Sequence, residues 1–393
     1  MRDYRWKYVK FKDFLEVIRL FLVLPIAYMA RIFIRHLWLI CEDANEARDN
    51  GYWLFKWIRE NHPEQKIAYV INKRAKDFLK VKELGKVIQY GGWKHWFWYL
   101  VAEKNISSQK GGKPNAAVCY FFEIKFHLLP AKHYFLQHGI IPNNTEWLYY
   151  DVCRFKMFAC GAKPEYEYVK KYFGYPDNVV KYLGLCRFDN LHNVNADPNL
   201  ILVMPTWREW ISRPTKESNY IDDMSSFVKS EYFIKWNEFI NSRTLRNILQ
   251  INHKKLIFYP HRNMQKYIDY FNSPDERIII ADRDHYDVQE LLKNASLLVT
   301  DYSSVFFDFA YMKKPIIFYQ FDEEKFHRYQ YKAGYFDYRD NVLGKWTNEL
   351  DSCLELIAQE AMSNFPKNTQ SGDFFELYDM LNCERNYFAI LEG

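Results

Sequence analysis

Short apolar runs alternate with stretches of helical period along nearly the whole chain, and few folds accommodate that alternation. It is the pattern of repeated βαβ units around parallel sheets. In the first half, strands are expected at His36–Cys41, Lys66–Ile71, Lys86–Tyr90, Lys104–Ser107, Tyr134–Gln137, Phe155–Ala159 and Val179–Leu183. A helix over Tyr52–Glu60 opens after Asn50-Gly51 and closes before His62-Pro63. The pattern lapses in the polar stretch Asn190–Leu200, which contains Asp197-Pro198, and then a second series begins. Its strands are expected at Leu200–Met204, Lys255–Tyr259, Arg277–Ala281, Leu297–Thr300 and Pro315–Tyr319, followed by closing helices over Asn348–Glu360 and Phe374–Ala389. The expected division is a leading segment 1–35, an N-terminal Rossmann-like domain 36–192, a second such domain 193–365, and a C-terminal helix in 366–393 returning to the first domain. The two halves are expected to face each other across a cleft.

At 393 residues there is room for two domains with their own cores. The seven cysteines form no CxxC pair and read as thiols, not as a zinc or disulfide framework. The aromatic share is high at 19%, which suits sugar stacking or a membrane interface, or is a compositional bias without function. Charge is more informative by location. Residues 1–40 hold eight basic and three acidic side chains, an excess equal to the whole net charge of +5. A nucleic-acid binder spreads basic residues over a folded face, so a nucleic-acid partner is not expected. An anionic membrane surface is. Leu20–Ala30 is apolar but too short to span a bilayer. Flanked by Arg19, Arg31 and Arg35, with Trp6 and Trp38 nearby, it fits a helix lying in the interface and kinked at Pro25. In the alternative reading this helix packs on the protein's own core.

Several motifs fall where strands should end, the edge at which open α/β sheets bind ligands. LLVTDYSSVFFD (297–308) joins a buried strand to a helix start through Thr300, Asp301, Tyr302, Ser303 and Ser304. The two serines are placed either to cap the helix or to hold a phosphate. YFLQHG (134–139) places His138 and Gly139 after a first-half strand. MPTWRE (204–209) brings Thr206 and Arg208, and FYPHR (258–262) brings His261 and Arg262, to second-half strand ends. In DVQELL (287–292), Asp287 and Glu290 have the spacing of a capping box. Asp282-Arg283-Asp284 has the form of a metal-binding DxD but precedes that box instead of following a strand into the cleft.

The order and wording of these motifs resemble the CDP-glycerol glycerophosphotransferase family, the teichoic-acid and capsule polymerases and primases of Gram-positive bacteria. The phrases carrying the resemblance are PTWRE at 205–209 and DVQELLKNASLLVTDYSSVFFDFAYMKKPIIFYQFD at 287–322, with weaker echoes in QHG at 137–139 and GLCRFDNL at 184–191. The chain departs from the family pattern after Gly139, where Ile140 to Asn144 lack the usual lysine, and at Cys186, where proline is usual.

The resemblance implies a GT-B-like pair of Rossmann-like domains and transfer of a polyol phosphate from a CDP-activated donor to a hydroxyl of a membrane-linked teichoic-acid or capsular-glycan acceptor, releasing CMP. CDP-glycerol is the expected donor, with CDP-ribitol as the alternative. His138 is expected as the base. His261 and Arg262 would neutralise the diphosphate, or His261 would share proton transfer; Arg208 would pair bidentately with phosphate. Gly139, Thr206 and Thr300 are expected to line the substrate site, with Ser303 and Ser304 holding a donor phosphate and Asp301 or Glu290 reaching cytidine or ribose hydroxyls. No metal or other cofactor is expected, and the place of work is the cytoplasmic face of the cell membrane, without a transmembrane span. A GT-B glycosyltransferase using a nucleotide sugar is the rival reading, and a catalytically silent membrane scaffold is another.

Overall fold

The computed structural model describes residues 9–192, 194–212, 224–363, 365–366, 368, 371–372 and 374–393. The leading basic residues Arg2, Arg5 and Lys7, and Trp6, lie outside the described residues. The chain divides into two compact units. One comprises Met1–Ile140, Thr145–Asn190 and Glu376–Gly393; the other comprises Ile141–Asn144 and Leu191–Phe375.

The first unit is built on seven strands: β1 (Trp38–Ile40), β2 (Ile67–Ile71), β3 (Val87–Gln89), β4 (Lys104–Ser107), β5 (His133–Phe135), β6 (Met157–Cys160) and β7 (Val180–Tyr182). All neighbours pair in parallel, in the order β3-β2-β1-β4-β5-β6-β7. The second unit has β8 (Leu200–Met204), β9 (Lys255–Phe258), β10 (Ile278–Ile280), β11 (Leu297–Thr300), β12 (Ile316–Tyr319) and β13 (Lys345–Thr347), again parallel, in the order β10-β9-β8-β11-β12-β13. Both orders reverse direction once, between β1 and β4 and between β8 and β11. That reversal is the switch point at which doubly wound sheets leave a crevice beyond the strand ends.

Strands β1, β2, β4, β5, β6, β11 and β12 are buried at every position; β1, β2, β6, β11 and β12 read as nearly continuous apolar runs, as expected where helices cover both faces, whereas β4 and β5 bury the polar side chains of Lys104, Asn105, Ser107 and His133. In the first unit the helix Asn382–Glu392 lies over the Asn50–Asn61 helix, and Tyr387 sits 5.5 Å from both Trp38 and Trp57 and stacks on His62 at 4.2 Å. This helix is shorter than the Phe374–Ala389 expected from sequence, because Asp379 bonds the backbone N–H of Leu381 and both Arg385 and Asn382 lock the turn before it.

The helix is held by one turn. Asp189 accepts bonds from the backbone N–H of Asn382 and of Cys383 (2.9 and 2.8 Å), and Arg385 donates to the Leu183 carbonyl. Gly184, at φ +75°, stands so close that a Cβ there would overlap the Asn382 side chain. Gly184→Ala combines that clash with a left-handed backbone, and is expected to cost about 2–4 kcal/mol. A lowered urea midpoint for unfolding checks it; an unchanged midpoint would mean the closing helix is not docked here.

The helix Phe11–Phe33 packs on the Gly92–Val101 helix through Leu20, Val23 and Ala27, which join the first unit's core. Trp96 donates to Glu16 at 2.7 Å and Asn115 to Asp13 at 2.7 Å, fixing its rotation. Its other faces leave Phe11, Phe14, Leu15, Ile18, Phe21, Leu22, Ile26, Met29, Ile32 and Phe33 exposed. Among the described residues no helix is long and apolar enough to cross a membrane.

Candidate functional site

In the first unit the chemistry collects beyond β1 and β5. The Asn50–Asn61 helix starts at Asp49, whose carboxylate accepts from the Asn50 N–H as its cap. The same carboxylate meets His138 Nδ1 at 2.5 Å and Arg187 Nη1 at 2.8 Å. His138 therefore donates from Nδ1, and in its neutral form carries a lone pair on Nε2. Its side chain is 66% exposed, so that lone pair is open to a substrate. Asp49's negative charge raises the His138 pKa, while burial opposes. Burial works against charge on Asp49 too, yet His138 and Arg187 hold its carboxyl below the usual range.

The loop carrying His138 is tightly built. Gln137 sits at φ +64°, an unfavourable region for a side chain of that size, and is held there by bonds that leave its orientation no freedom. It donates to Glu165 at 3.2 Å and accepts from the His138 N–H at 3.1 Å, and its carbonyl accepts from Asn50 Nδ2 at 2.6 Å. Arg187 also donates to the His138 carbonyl at 2.5 Å. Gly139 follows, buried. Behind Asp49, Glu42 accepts from the backbone N–H groups of Arg48, Asp49 and Tyr52, at 2.9, 3.0 and 2.5 Å. Burial and the neighbouring Asp49 push the Glu42 pKa up to about 8.

In the second unit the motifs gather beyond β8, β9 and β11. The His261 N–H donates to the Pro205 carbonyl at 3.1 Å, and its ring stacks on Trp207 at 6.1 Å between centroids. His261 Nδ1 accepts from the Asn263 N–H at 3.2 Å. Arg262 is exposed beside it. Ser303 and Ser304 are half-buried after β11. Ser304 stands at the helix start without a side-chain cap, so the capping alternative for that residue is set aside.

Arg208 corrects an expectation. It is fully buried, donating from Nε and Nη2 to Asp322 (2.7 and 2.9 Å), from Nη2 to Asp301 (2.8 Å) and from Nη1 to the Thr206 carbonyl (2.7 Å). Burial alone would strip its charge, but Asp322 and Asp301 hold it protonated, with the Tyr302 and Tyr232 rings within 5.3 Å. One Nη1 hydrogen is left, too few for a bidentate phosphate, so Arg208 is a clamp that ties the β8, β11 and β12 ends together. Asp301 is equally committed, accepting from the N–H groups of Thr206 and Tyr302 as well, and burial pushes its carboxyl pKa up. It is not free for ribose hydroxyls. Thr300 donates its hydroxyl to the Met204 carbonyl inside the sheet and is a strand-end tie as well. Thr206 differs: its hydroxyl is buried without a partner at the switch point. Glu290 leans on Lys293 in the first turn of its helix, while Asp287 alone makes the cap. Asp282 folds back on the N–H groups of Asp284 and His285.

Asp49, Arg187 and Asp322 were not read from sequence as site residues. Asp322 and Arg187 do lie inside the quoted phrases, at a strand end and in the G-x-x-R-x-D turn. Asp49 lies nine residues beyond β1, with only a helix-start signal to mark it.

Two Rossmann-like parallel sheets, each with polar side chains gathered at its switch point, define a GT-B-like α/β enzyme fold. Residues 166–382 match the family model of CDP-glycerol:poly(glycerophosphate) glycerophosphotransferase, and the chain belongs to that family. It is 32% identical over 366 residues to the minor teichoic acid biosynthesis protein GgaB of Bacillus subtilis (strain 168), covering 91% of this chain and 40% of that protein. The chain thus spans two fifths of that relative's length. Among solved structures, the wall teichoic acid polymerase TagF matches with a TM-score of 0.62 at 15% identity over 98% of both chains. The UDP-GlcNAc 2-epimerase of Methanocaldococcus jannaschii matches with 0.52 at 13%, over 91% of this chain and 99% of the other. These two likenesses concern the fold.

Proposed function

We propose that the protein transfers a polyol phosphate, glycerol phosphate in the first instance, from a CDP-activated donor to an acceptor hydroxyl of a lipid-linked teichoic acid or capsular glycan. The observation that carries the reading is the Asp49–His138 pair, an oriented and solvent-open base in a chain of this family. The acceptor hydroxyl gives its proton to His138 Nε2 as its oxygen attacks the donor's polyol-bearing phosphorus, and the bond to CMP breaks. His261, Arg262, Ser303 and Ser304 hold the diphosphate and offset the charge that develops on the leaving CMP. Membership of the family and the CDPG soak of TagF support the choice of nucleotide. Positive side chains and hydrogen-bond donors suffice for this step, so no metal is assigned to it.

A nucleotide-sugar transferase is the competing reading. Thermal unfolding separates the two: CDP-glycerol or CDP-ribitol is expected to raise the melting temperature and UDP-sugars are not, followed by CMP release with candidate acceptors. A shift with UDP-sugars alone would overturn the proposal.

The exposed face of the Phe11–Phe33 helix supports peripheral attachment to an anionic membrane surface at its cytoplasmic side. Replacing Phe14, Leu22 and Met29 with serine leaves Leu20, Val23 and Ala27 in the core, and is expected to abolish co-sedimentation with anionic vesicles. Undiminished binding would assign the face elsewhere.

A further inference from the structure

Where the last turns of the Phe11–Phe33 helix meet the loop before β5, two cations, Arg31 and Lys132, line one small pocket, and among the described residues neither is paired with a carboxylate. The Arg31 guanidinium lies 5.5 Å from the centre of the Tyr28 ring, and no ion pair of Arg31 or Lys132 occurs among the described residues. Lys132 donates to the carbonyls of Leu100 and Ala102, closing the end of the Gly92–Val101 helix. Burial and the nearby Arg31 charge depress its pKa to about 8. Both line a small pocket with Tyr28, Asn105, Glu123 and Pro130. Glu123 brings a negative charge, but that charge is spent inward on Tyr99, Lys113 and His133. Glu103, which also acts on Lys132, is taken by His36.

The surroundings point to a lipid. The loop Phe126–Pro130 exposes Phe126 and Leu128, the latter 65% open. It is joined to the helix by an aromatic chain, Phe21 to Phe122 at 5.7 Å and Phe122 to Phe126 at 6.3 Å. The exposed apolar face of the helix, ending in Met29, Ile32 and Phe33, thus continues onto a second element, with the two cations in the seam. We infer that this seam binds the phosphate of one anionic phospholipid, its chains lying along Met29, Phe33, Phe126 and Leu128. The pocket encloses about 10 Å³, space for one water against the unpartnered Asn105 Oδ1, so the phosphate sits at its mouth between Arg31 and Lys132. Charge attraction alone places cations anywhere on a membrane-facing rim; this arrangement fixes one phosphodiester at one depth.

The inference rests on the membrane reading and fails separately from it. Arg31→Gln is the informative change, because Lys132 also closes a helix and its loss confounds folding. With the full chain, Arg31→Gln is expected to weaken binding to phosphatidylcholine vesicles containing phosphatidylglycerol by about fivefold, and Arg31→Lys to restore most of it. Arg35→Gln, an equal change of charge four residues on, is expected to do clearly less. Dihexanoyl-phosphatidylglycerol below its micelle concentration is expected to raise the melting temperature of the wild type and not of Arg31→Gln. Equal effects of Arg31→Gln and Arg35→Gln would reduce the seam to diffuse charge and overturn the site, leaving membrane attachment standing. An equal thermal shift with inorganic phosphate would overturn the lipid as occupant. A wild type that binds no vesicles would remove both readings.

Discussion

His138→Ala is expected to lower CMP release from CDP-glycerol by about 10³-fold or more, with donor binding by thermal shift retained. The size follows from what an oriented base contributes to proton transfer, about 10²–10⁴-fold. Asp49→Asn is expected to fall in the same range, because an amide that turns its own N–H toward the imidazole favours the wrong tautomer. The pH profile carries more information than the loss. His138 acts only when unprotonated, and Asp49 raises its pKa, so the wild-type rate is expected to fall as pH drops through a value above that of an ordinary histidine. Removing the Asp49 charge lowers that pKa, and the acid limb moves to lower pH while the plateau collapses. An acid limb that stays in place would mean that another group titrates, and a His138→Ala enzyme with full turnover would remove His138 from the chemistry altogether.

The second large effect concerns stability. Arg208→Met leaves Asp301 and Asp322 facing each other inside the second unit with no cation, and is expected to cost about 3–5 kcal/mol. For a domain of this size that is a fall of about 10 °C in melting temperature. If Arg208 were instead a donor-phosphate ligand, the variant would melt near the wild type and lose CDP-glycerol binding only. The measurement thus decides between a clamp and a ligand.

The difference between those two roles marks how far sequence carries here. Parallel strands buried on both faces announce themselves as apolar runs, and β8 and β11 fall at the expected residues. Only β13 escaped, three residues long at a sheet edge with one buried position, too brief to set up any period. The strand-end motifs also identify where polar groups gather, since chain order and sheet order are tied in a doubly wound fold. What sequence does not carry is which of those groups are already paired. Arg208 and Arg262 look alike in PTWRE and YPHR, yet one is enclosed by Asp322 and Asp301 and the other stands in solvent. Their difference depends on Asp322, more than a hundred residues away. Likewise Asp49 precedes His138 by 89 residues, and only the adjacency of β1, β4 and β5 in one sheet brings them together.

The docking of the Asn382–Glu392 helix on the first unit bears on how the polypeptide is made. Residues 141–144 and 191–375 form the second unit, so a ribosome delivers that entire unit before Tyr387 can fill its place against Trp38 and Trp57. The half that starts first is finished last. Until then the nascent chain carries an open apolar groove over its earliest strands, and Asp189 waits with its carboxylate free beside the very turn that presents Arg187 to His138. Residues 382–392 thus close the first unit only after the second has emerged, so a product interrupted between residues 192 and 381 leaves Trp38 and Trp57 uncovered where Tyr387 packs.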